Sequence, residues 1–491
     1  MGYVDQVMAS SLYTVEEVLE VVGARLLAGD SLMAPKTAVK RLWTDSRTIR
    51  PGDCFVALRG DRFDGHAFVS ETFRKGAVAA LVEEDSYRVP ADPLLRGPAR
   101  RPAIILEVRD SLLAFQQLAT HHRNRFAIPV VAVTGSNGKT TTKDMVAGLL
   151  SSRWTTLKTE GNLNNRIGVP HTLLRLAARH KAAVIEMGVD ARGQTTRLCE
   201  IVRPTIGIIT NIGADHLEFF GDLEGSAQAK AELLDQMPAE GVVVLNADDS
   251  YFDYLAARAT CRVVSFGLSE RADVRATDIN HHSKLGTTFK LHLPGRQRTP
   301  VISLRVHGDH NVLNALAAAA VGYASGLSGV LITKGLASFR PAQMRSQVVT
   351  VRGARVINDC YNANPSSMKA ALRLLAEMGQ GGRTIAVVGD MLELGPNADE
   401  FHREAGALAA ELGIQRLITC GSLGQRIAAG ARKAGMPQDR VLAVNDAVEA
   451  SAVLKNLLQP GDTVLVKASR GMKLERVLEG LQGRVRMAAG A

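Results

Sequence analysis

Apolar and polar positions alternate in blocks from about residue 127 onward. Short apolar runs such as "IPVVAVTG", "KAAVIEMG", "TIGIITNIG" and "GVVVLNADD" are each followed by a loop or a helix-like segment. Continuous apolar strands separated by helices are typical of a parallel sheet that is covered on both faces. The pattern therefore predicts an α/β fold in this part of the chain.

A second series of strand-like runs begins near residue 350. It consists of "GARVINDCYNANP", "RTIAVVGDM", "RLITCGSLG" and "DTVLVKASRG", with polar residues gathered where each run ends. In open α/β sheets, ligands bind at the carboxyl ends of the strands. Residues before 127 differ, because their strands are shorter and their loops longer. The sequence thus predicts three domains, at 1–126, 127–340 and 341–491.

Composition supports a soluble globular protein. Apolar residues make up 46% and charged residues 22% of the 491-residue chain. No apolar run approaches the roughly 20 residues of a membrane helix, so no membrane insertion is expected. The five cysteines (54, 199, 261, 360 and 420) are scattered and form no C-x-x-C pair. Such a set favours reduced thiols in a cytoplasm over a disulfide framework or a zinc site.

The net charge of +10 raises nucleic acid as a partner. Acids are interspersed with the basic residues along most of the chain, and the densest basic run, near residues 94–103, falls in a predicted loop. Aromatic residues are only 4% of the chain and do not alternate with basic ones. The pattern indicates a basic surface for small anionic ligands and no nucleic-acid partner.

The stretch "VVAVTGSNGKTTT" has the parts of a phosphate-binding loop. A predicted strand leads into a glycine-rich turn and then into a helix, which aims backbone N–H groups at an anion. Lys139 can contact terminal phosphates, and the hydroxyl of Thr140 can ligate Mg²⁺. The spacing G-x-x-G-K-T is shorter than the common G-x-x-x-x-G-K-[ST] pattern. The alternative is a glycine-rich turn with no ligand.

Three further residues have the chemistry of a phosphate site. Glu186 ends a buried strand, His216 follows the next strand, and Lys230 lies on a predicted helix. Each also has a structural alternative: a strand-end acid that reaches solvent, a structural histidine and a solvated lysine.

Taken together, these residues resemble the Mur ligases, a family of ATP-dependent enzymes that form amide bonds in peptidoglycan synthesis. Members carry the shortened loop G-x-x-G-K-T. The similarity spans nearly the whole chain and includes "TDSRTIRPGDCFVAL", "TEGNLNNRIGVPHTLL", "GDHNVLNALAAAA", "NDCYNANPSSMKAAL" and "VVGDMLELG". Within the family, "YNANPSSM" and "GDMLELG" are most similar to the ligases that add D-alanyl-D-alanine to UDP-N-acetylmuramoyl-tripeptide. The resemblance implies a cytoplasmic, monomeric enzyme that forms an acyl phosphate from ATP.

The resemblance also implies a fold and an ATP site. Its three domains would be a small mixed α/β domain that binds the UDP-sugar, a central P-loop-type parallel-sheet ATPase domain and a C-terminal Rossmann-like domain. Lys139, Glu186, His216 and Lys230 would be catalytic. Thr140, Glu186, His216 and a carbamylated Lys230 would hold Mg²⁺. The implied ATP-binding residues are Gly135, Ser136, Asn137, Gly138, Lys139, Thr140, Thr141, Asn314, Arg345, Asp359 and Tyr361. Helix packing is the alternative for Asn314, and a surface charge is the alternative for Arg345.

Substrate residues follow from the same resemblance. Asp45, Ser46 and Arg47 would receive the UDP-sugar, and the remaining candidates are Asn162, Asn164, Asn165, Asn362 and Asn364. All of them could instead be turn formers. In addition, Asn364 and Pro365 have the residue types of a helix N-cap and first helical position.

Two other functions stay open from the sequence. A related ligase, either another Mur enzyme or a folylpolyglutamate synthase, would use the same ATP machinery, although the "TDSR" domain argues against the folate enzyme. A non-enzymatic nucleotide switch would leave Glu186, His216 and Lys230 without a purpose.

Overall fold

The computed structural model describes residues 11–60, 63–89, 103–282 and 286–482. Apart from Ala103, the basic run near residues 94–103 lies outside the described residues. The chain divides into two compact units. Unit 1 comprises 1–130, 157–185 and 197–203, and unit 2 comprises 131–156, 186–196 and 204–491. Across the described ranges, no helix is long and apolar enough to cross a bilayer.

The described strands, in chain order, are β1 (Tyr13–Thr14), β2 (Arg25–Ala28), β3 (Ala38–Val39), β4 (Arg41–Trp43), β5 (Asp53–Val56), β6 (Arg59–Gly60), β7 (Phe63–Asp64), β8 (Ala79–Glu83), β9 (Ile104–Val108), β10 (Val130–Thr134), β11 (Thr156–Lys158), β12 (Ala182–Glu186), β13 (Ile206–Ile209), β14 (Val242–Asn246), β15 (Arg262–Gly267), β16 (Val274–His282), β17 (Gly286–His292), β18 (Val301–Leu304), β19 (Gln347–Val351), β20 (Ala354–Asn358), β21 (Thr384–Gly389), β22 (Arg416–Cys420), β23 (Val441–Val444) and β24 (Thr463–Lys467).

The described helices are α1 (Val15–Val22), α2 (Val69–Arg74), α3 (Ser111–Asn124), α4 (Lys139–Ser151), α5 (Gly168–Leu173), α6 (Gln194–Val202), α7 (Leu217–Phe220), α8 (Leu223–Asp235), α9 (Phe252–Arg258), α10 (Asp309–Ala324), α11 (Gly329–Ser338), α12 (Pro365–Met378), α13 (Ala398–Glu411), α14 (Gly424–Lys433), α15 (Ala447–Leu457) and α16 (Glu475–Leu481). Short 3₁₀ turns lie at Ser46–Thr48, Gly65–Phe68, Gly395–Asn397, Gln438–Arg440 and Arg470–Met472.

Unit 1 is built on a mixed sheet with the strand order β2-β9-β8-β5-β4. Strand β2 runs antiparallel to β9, and the other neighbours are parallel. Successive residues of β5 point to opposite faces, as the pleat requires. Cys54 and Val56 lie in one buried cluster, while Phe55 and Ala57 lie in the other. Both faces of this small sheet are therefore covered, which explains its continuous apolar strand.

The first part of unit 2 contains the strand order β10-β13-β14-β15-β16-β17-β18. Its strands are parallel from β10 through β16, and β17 and β18 then extend the sheet antiparallel. The apolar runs at "PVVAVTG", "TIGIITNIG" and "GVVVLNADD" form β10, β13 and β14, which confirms the predicted parallel strands. The antiparallel extension was not predicted.

The second part of unit 2 is a sheet with the order β19-β20-β24-β21-β22-β23. Only β19 pairs antiparallel; the other described strands of this sheet are parallel. Along β21, Ala386 and Val388 contribute to one buried cluster, and Ile385 and Val387 to the other. Each fully buried aliphatic side chain stabilises such a core by about 1.5–3 kcal/mol. The second series of strand-like runs is thus confirmed as a doubly covered α/β sheet.

The five cysteines are free, as predicted. Cys54, Cys199, Cys360 and Cys420 are buried, and Cys261 is partly exposed. Burial raises the pKa of Cys54, Cys360 and Cys420 to about 12. These thiols are therefore protonated at neutral pH and pack as small apolar groups.

Candidate active site

The phosphate loop joins the end of β10 to the start of α4, and two of its glycines are required by its shape. Gly135 has φ +132°, and a Cβ at this position would lie 2.0 Å from Thr210 Oγ1. Gly138 has φ +79°, and its Cβ would lie 2.2 Å from Asn314 Oδ1. Both the backbone conformation and the close neighbours exclude a side chain. The loop is therefore compact, and it aims the N-terminus of α4 at the strand ends.

Lys139 opens helix α4 and carries a positive charge over the loop. Its Nζ donates to the carbonyl oxygens of Gly135, at 2.6 Å, and Ser136, at 3.2 Å. Thr140 follows and is buried, and the half-buried Thr141 lies on the same first turn. The cation and the helix N-terminus together favour a bound anion at the loop.

Glu186 lies against the loop rather than in solvent, so the alternative of a solvent-reaching acid is wrong. Its side chain is only 2% exposed, and its Oε1 accepts a hydrogen bond from Thr140 Oγ1 at 3.0 Å. The Nζ of Lys143, another buried side chain, lies 3.7 Å from Glu186 Oε2. Lys143 is a basic residue of the site that the sequence did not single out.

The oxygen donors of Thr140 and Glu186 suit Mg²⁺, which prefers carboxylate and hydroxyl ligands. Among the described residues, no group of three or more His, Cys, Asp or Glu side chains could by itself hold a metal ion. Mg²⁺ usually binds through one or two protein oxygens plus substrate phosphates and water.

Lys230 forms a buried ion pair beside the loop, so the alternative of a solvated helix lysine is wrong. It is 1% exposed, and its Nζ donates to Asp215 Oδ1 at 3.0 Å and to Ser226 Oγ at 2.7 Å. Ser136 of the loop donates to the same Asp215 oxygen at 2.6 Å. The carboxylate therefore connects the phosphate loop to helix α8.

The pKa values of the pair follow from burial and charge. Burial opposes ionisation of Asp215, but Lys230, Lys139 and the Ser136 hydroxyl outweigh it and lower the pKa of Asp215. Burial is the main cause that lowers the pKa of Lys230; the charge of Lys139 acts in the same direction, and Asp215 opposes both. A lowered pKa makes the neutral amine of Lys230 more accessible, and CO₂ adds only to a neutral amine.

His216 is hydrogen-bonded to Glu393, which lies in the loop after strand β21. Its Nδ1 lies 2.6 Å from Glu393 Oε2, in the "GDMLELG" loop. The backbone contact of Glu218 N with Glu393 O, at 3.2 Å, supports the same arrangement. A carboxylate on one ring nitrogen orients a histidine so that the other nitrogen can act as a ligand. The sequence noted the "GDMLELG" run but assigned no role to its glutamate.

Three residues predicted to bind the nucleotide flank the first two strands of the second sheet of unit 2. Arg345 precedes β19, and Asp359 and Tyr361 follow β20. Asp359 Oδ1 accepts from Ser346 N at 2.8 Å, and its Oδ2 accepts from Lys467 Nζ at 2.5 Å. The guanidinium of Arg345 lies 4.0 Å from the ring centroid of Tyr361, in cation–π geometry. Arg345 is thus stacked on an aromatic ring rather than being an isolated surface charge.

Asn314 lies on helix α10 and packs against helix α4. Its Oδ1 accepts from Thr142 Oγ1 at 3.1 Å, and its Nδ2 donates to Asn311 Oδ1 at 3.3 Å. The same oxygen lies where a side chain on Gly138 would be. The helix-packing alternative therefore describes its contacts, and its position beside the loop keeps the predicted nucleotide role compatible with them.

Asn364 caps helix α12 as predicted, with Pro365 in the first turn. Its Oδ1 accepts from Ser367 N at 2.9 Å, and Ser367 Oγ accepts from Asn364 N at 3.0 Å. Its Nδ2 donates to Oδ1 of Asn137 in the phosphate loop, at 2.9 Å. Asn362 is exposed, and its carbonyl oxygen accepts from Lys467 Nζ at 2.9 Å.

The "TDSR" residues of unit 1 form a polar turn. Asp45 caps the 3₁₀ turn at Ser46–Thr48, accepting from Arg47 N at 3.0 Å. The Arg47 guanidinium donates to both carboxylate oxygens, at 2.8 and 3.0 Å, and lowers the pKa of Asp45. The turn alternative describes this local geometry, and the UDP-sugar role stays a prediction.

Thr44 of the same turn contacts a half-buried histidine. Its Oγ1 lies 2.8 Å from His171 Nε2. The imidazole packs edge-on against Trp43 and Phe115. Burial, with a smaller effect of the Arg41 charge, lowers the pKa of His171 to about 4.

The three loop asparagines, Asn162, Asn164 and Asn165, also belong to unit 1. Asn165 Oδ1 accepts from the backbone N–H groups of Ile167, at 3.1 Å, and Gly168, at 2.9 Å, just before α5. Asn164 N donates to Asn162 O at 2.8 Å. These are the contacts of a turn, so their predicted contact with the peptide stays a prediction.

Within unit 2, contacts join the loop residues 135–141 to Glu186, Asn314, Asn364 and, through Asp215, to Lys230. His216 directly follows Asp215, and Arg345, Asp359 and Tyr361 form a second group. The predicted substrate-binding residues 45–47, 162, 164 and 165 belong to unit 1. The supporting residues that the sequence did not assign are Lys143, Asp215, Glu393 and Lys467. Only Asp215 had a local signal, since it directly precedes His216 after a strand.

Three family models match this chain over most of its length. They describe a Mur ligase family catalytic domain at residues 39–123, a Mur ligase middle domain at 133–322 and a Mur ligase glutamate ligase domain at 344–470. The chain belongs to the Mur ligase family.

Named relatives indicate which Mur ligases this chain is similar to. The chain is 37% identical to UDP-N-acetylmuramoyl-tripeptide–D-alanyl-D-alanine ligase of Bacillus subtilis, over 95% of this chain and 98% of the relative. A crystal structure of MurF from Acinetobacter baumannii superposes with TM-score 0.85 at 34% identity, covering 96% of this chain and 99% of the other. MurF ligase from Thermotoga maritima, solved in complex with ADP, gives TM-score 0.79 at 28% identity and covers 90% and 97%. The three-domain α/β architecture of the family is thus confirmed.

Proposed function

We propose that this protein is an ATP-dependent ligase that joins D-alanyl-D-alanine to UDP-N-acetylmuramoyl-tripeptide and releases ADP and phosphate during peptidoglycan precursor synthesis. The observation that carries the proposal is one group of charges around the phosphate loop. Lys139 lies over the loop, Glu186 bonds to Thr140, and the Asp215–Lys230 pair bonds to Ser136. The relatives that cover nearly the whole chain carry the same activity in their names.

The reaction requires activation of a carboxylate, because its own leaving group would be oxide. Transfer of the γ-phosphoryl group to the terminal carboxylate of the tripeptide gives an acyl phosphate. The free amine of D-alanyl-D-alanine then attacks the acyl carbon, and phosphate leaves from the tetrahedral intermediate while the amine loses its proton. Lys139 and the N-terminus of α4 stabilise the negative charge that develops on the transferred group.

Mg²⁺ would neutralise phosphate charge and orient the phosphates when bound. Thr140 and Glu186 would hold one ion, since their oxygens already converge at 3.0 Å. His216, oriented by Glu393, would offer its second ring nitrogen to another. Lys230 would contribute only as a carbamate, which turns its cation into an anionic oxygen ligand.

The other assignments belong to the same proposal. Asn314, Arg345, Asp359 and Tyr361 would bind the nucleoside part of ATP, and loop residues 135–141 its phosphates. Asp45, Ser46 and Arg47 would bind the UDP-sugar, while the peptide would contact Asn162, Asn164, Asn165, Asn362 and Asn364. We place the domain boundaries near residues 126 and 340, which fall between the segments that the family models match. The proposed enzyme is a cytoplasmic monomer.

The test is phosphate release from ATP and Mg²⁺, with UDP-N-acetylmuramoyl-tripeptide present and each candidate amine added in turn. We expect release only when the tripeptide nucleotide and D-alanyl-D-alanine are both present, together with a pentapeptide product by mass. Turnover with a shorter UDP-muramoyl substrate and a single amino acid would move the enzyme to an earlier Mur step. No turnover with any pair, alongside ATP binding, would instead favour a nucleotide switch.

A further inference from the structure

The phosphate loop also makes side-chain hydrogen bonds to the start of helix α12. Asn137 Nδ2 donates to Ser366 Oγ at 2.9 Å, and Asn364 Nδ2 donates to Asn137 Oδ1 at 2.9 Å. Ser366 Oγ also lies 3.3 Å from Asn364 Oδ1. A single loop amide is thus held by two of the polar side chains at the start of helix α12. We call Asn137, Asn364 and Ser366 the amide clamp.

The loop end of the clamp is fixed by the backbone of Asn137. Its N–H donates to Asn211 Oδ1 at 2.9 Å. Its carbonyl oxygen accepts from Thr210 Oγ1 at 2.6 Å and from Asn211 Nδ2 at 3.1 Å. The backbone of Asn137 is therefore held in place, and its side chain leaves the clamp only by rotating away from Asn364 and Ser366. A shift of the loop backbone would therefore change the hydrogen bonds from Asn137 to Asn364 and Ser366.

The other end of the clamp is equally fixed, by the helix that it starts. Asn364 is largely buried, and its capping box with Ser367 sets the first turn of α12. Helix α12 then packs its buried face, which includes Met368 and Leu372, against strands β24 and β21 of the second sheet of unit 2. A shift of α12 is therefore felt at β24, whose Lys467 donates to Asp359 at 2.5 Å.

We infer that Asn137, Asn364 and Ser366 are positioning residues that couple occupation of the phosphate loop to the seating of the second sheet of unit 2. These three side chains join the phosphate loop to the start of α12, so Asn137 contacts α12 in addition to its proposed role toward the phosphates. The inference rests on the proposed nucleotide role of the loop. Because coupling between two sites is reciprocal, a nucleotide that orders the loop strengthens the clamp, and the clamp strengthens nucleotide binding.

The test measures backbone amide hydrogen exchange in the first turn of α12, with and without a non-hydrolysable ATP analogue and Mg²⁺. In the unmodified protein, we expect the analogue to slow this exchange. Ser366→Ala and Asn137→Ala each remove a hydrogen bond of the clamp, so each should abolish most of that slowing. Each should also weaken binding of the analogue about three- to tenfold by calorimetry, as expected for one or two hydrogen bonds.

Two comparisons separate coupling from a local defect. Ser366→Thr keeps the hydroxyl and should restore both measurements, while Arg373→Ala, at an exposed site further along α12, should change neither. In the double variant Asn137→Ala/Ser366→Ala, binding should be no weaker than with Asn137→Ala alone. Should Asn137→Ala lose binding altogether, Ser366→Ala and Ser366→Thr still decide the matter.

The inference would be overturned if the affinity losses of the two single variants multiplied in the double variant. It would also be overturned if the analogue still slowed hydrogen exchange in the first turn of α12 in Ser366→Ala. The analogue needs no peptide or amine substrate. Failure of ligase turnover with intact coupling would therefore count against the proposed function alone. Turnover without coupling would count against the clamp alone.

Discussion

Replacing Lys230 by methionine tests the buried ion pair beside the phosphate loop. Methionine keeps the length and volume of the side chain but removes the charge that faces Asp215. At an effective dielectric constant of about 20, charges 3.0 Å apart attract by about 5 kcal/mol, and this attraction acts against the cost of burying both. Removing one partner of such a pair usually destabilises a protein by about 3–5 kcal/mol, because the other charge stays buried and uncompensated. We expect Lys230→Met to lose stability in that range at neutral pH.

The loss of stability in Lys230→Met should depend on pH. In the unmodified protein the pKa of Asp215 is lowered, so its ionised form contributes stability at neutral pH that is lost as the pH falls through the lowered pKa. In Lys230→Met, burial is the main remaining effect and raises the pKa of Asp215 above its ordinary value. The folded variant then binds the proton more tightly than the unfolded chain, so its stability falls as the pH rises. The two proteins should therefore differ less at pH about 5 than at pH about 7.5.

Denaturant unfolding of both proteins at the two pH values measures the effect, and Lys230→Met/Asp215→Asn serves as the control. The control removes the orphaned charge and should recover most of the lost stability. A loss below about 1 kcal/mol at neutral pH, or one that is independent of pH, would refute the reasoning. A carbamate on Lys230 would reverse its charge, and ¹³C-bicarbonate labelling followed by NMR would detect it directly.

Three further predictions concern single side chains. Lys139→Ala should lower ATP-dependent phosphate release more than about 100-fold with an unchanged circular dichroism spectrum, whereas exposed Lys334→Ala should not; near-normal release by Lys139→Ala would contradict its role. Glu186→Gln keeps an acceptor for Thr140 but removes the charge beside Lys143, so calorimetry should show a higher Mg²⁺ requirement for ADP binding; an unchanged requirement would count against Glu186 as a ligand. Burial lowers the pKa of His171 to about 4, so the unfolded chain takes up this proton at a higher pH than the folded protein does. The free energy of unfolding should therefore decrease as the pH falls from about 6.5 to about 4. His171→Gln should flatten that part of the stability profile, and an equally steep profile would show that other groups cause it.

The sequence was most informative where structure is set locally. The apolar runs became buried strands, and Asn364 with Pro365 became the start of α12, because a cap depends on residues only three positions apart. The shape of the phosphate loop was also predictable from its glycines. These features need no knowledge of what packs against them.

Contacts between distant segments were not predictable. Helical composition made a solvated lysine the default for Lys230, but the fold turns that face of α8 toward Asp215. Glu393 reaches His216 across 177 positions of sequence, and no local pattern announces such a partner. The antiparallel strands β17 and β18 were missed for a similar reason, since their pairing is set by how the edge of the sheet continues. Burial and long-range pairing, rather than residue type, decide these cases.

The buried cysteines have a practical consequence for measuring motion. Cys54, Cys360 and Cys420 are shielded thiols whose pKa is raised to about 12, and Cys199 is buried as well. The pKa of the partly exposed Cys261 is also raised. Thiol-reactive dyes attack the thiolate, so the native cysteines should react slowly at neutral pH. A cysteine introduced at an exposed position could then be labelled selectively in the otherwise unaltered chain, and pairs of such labels would report distances during turnover.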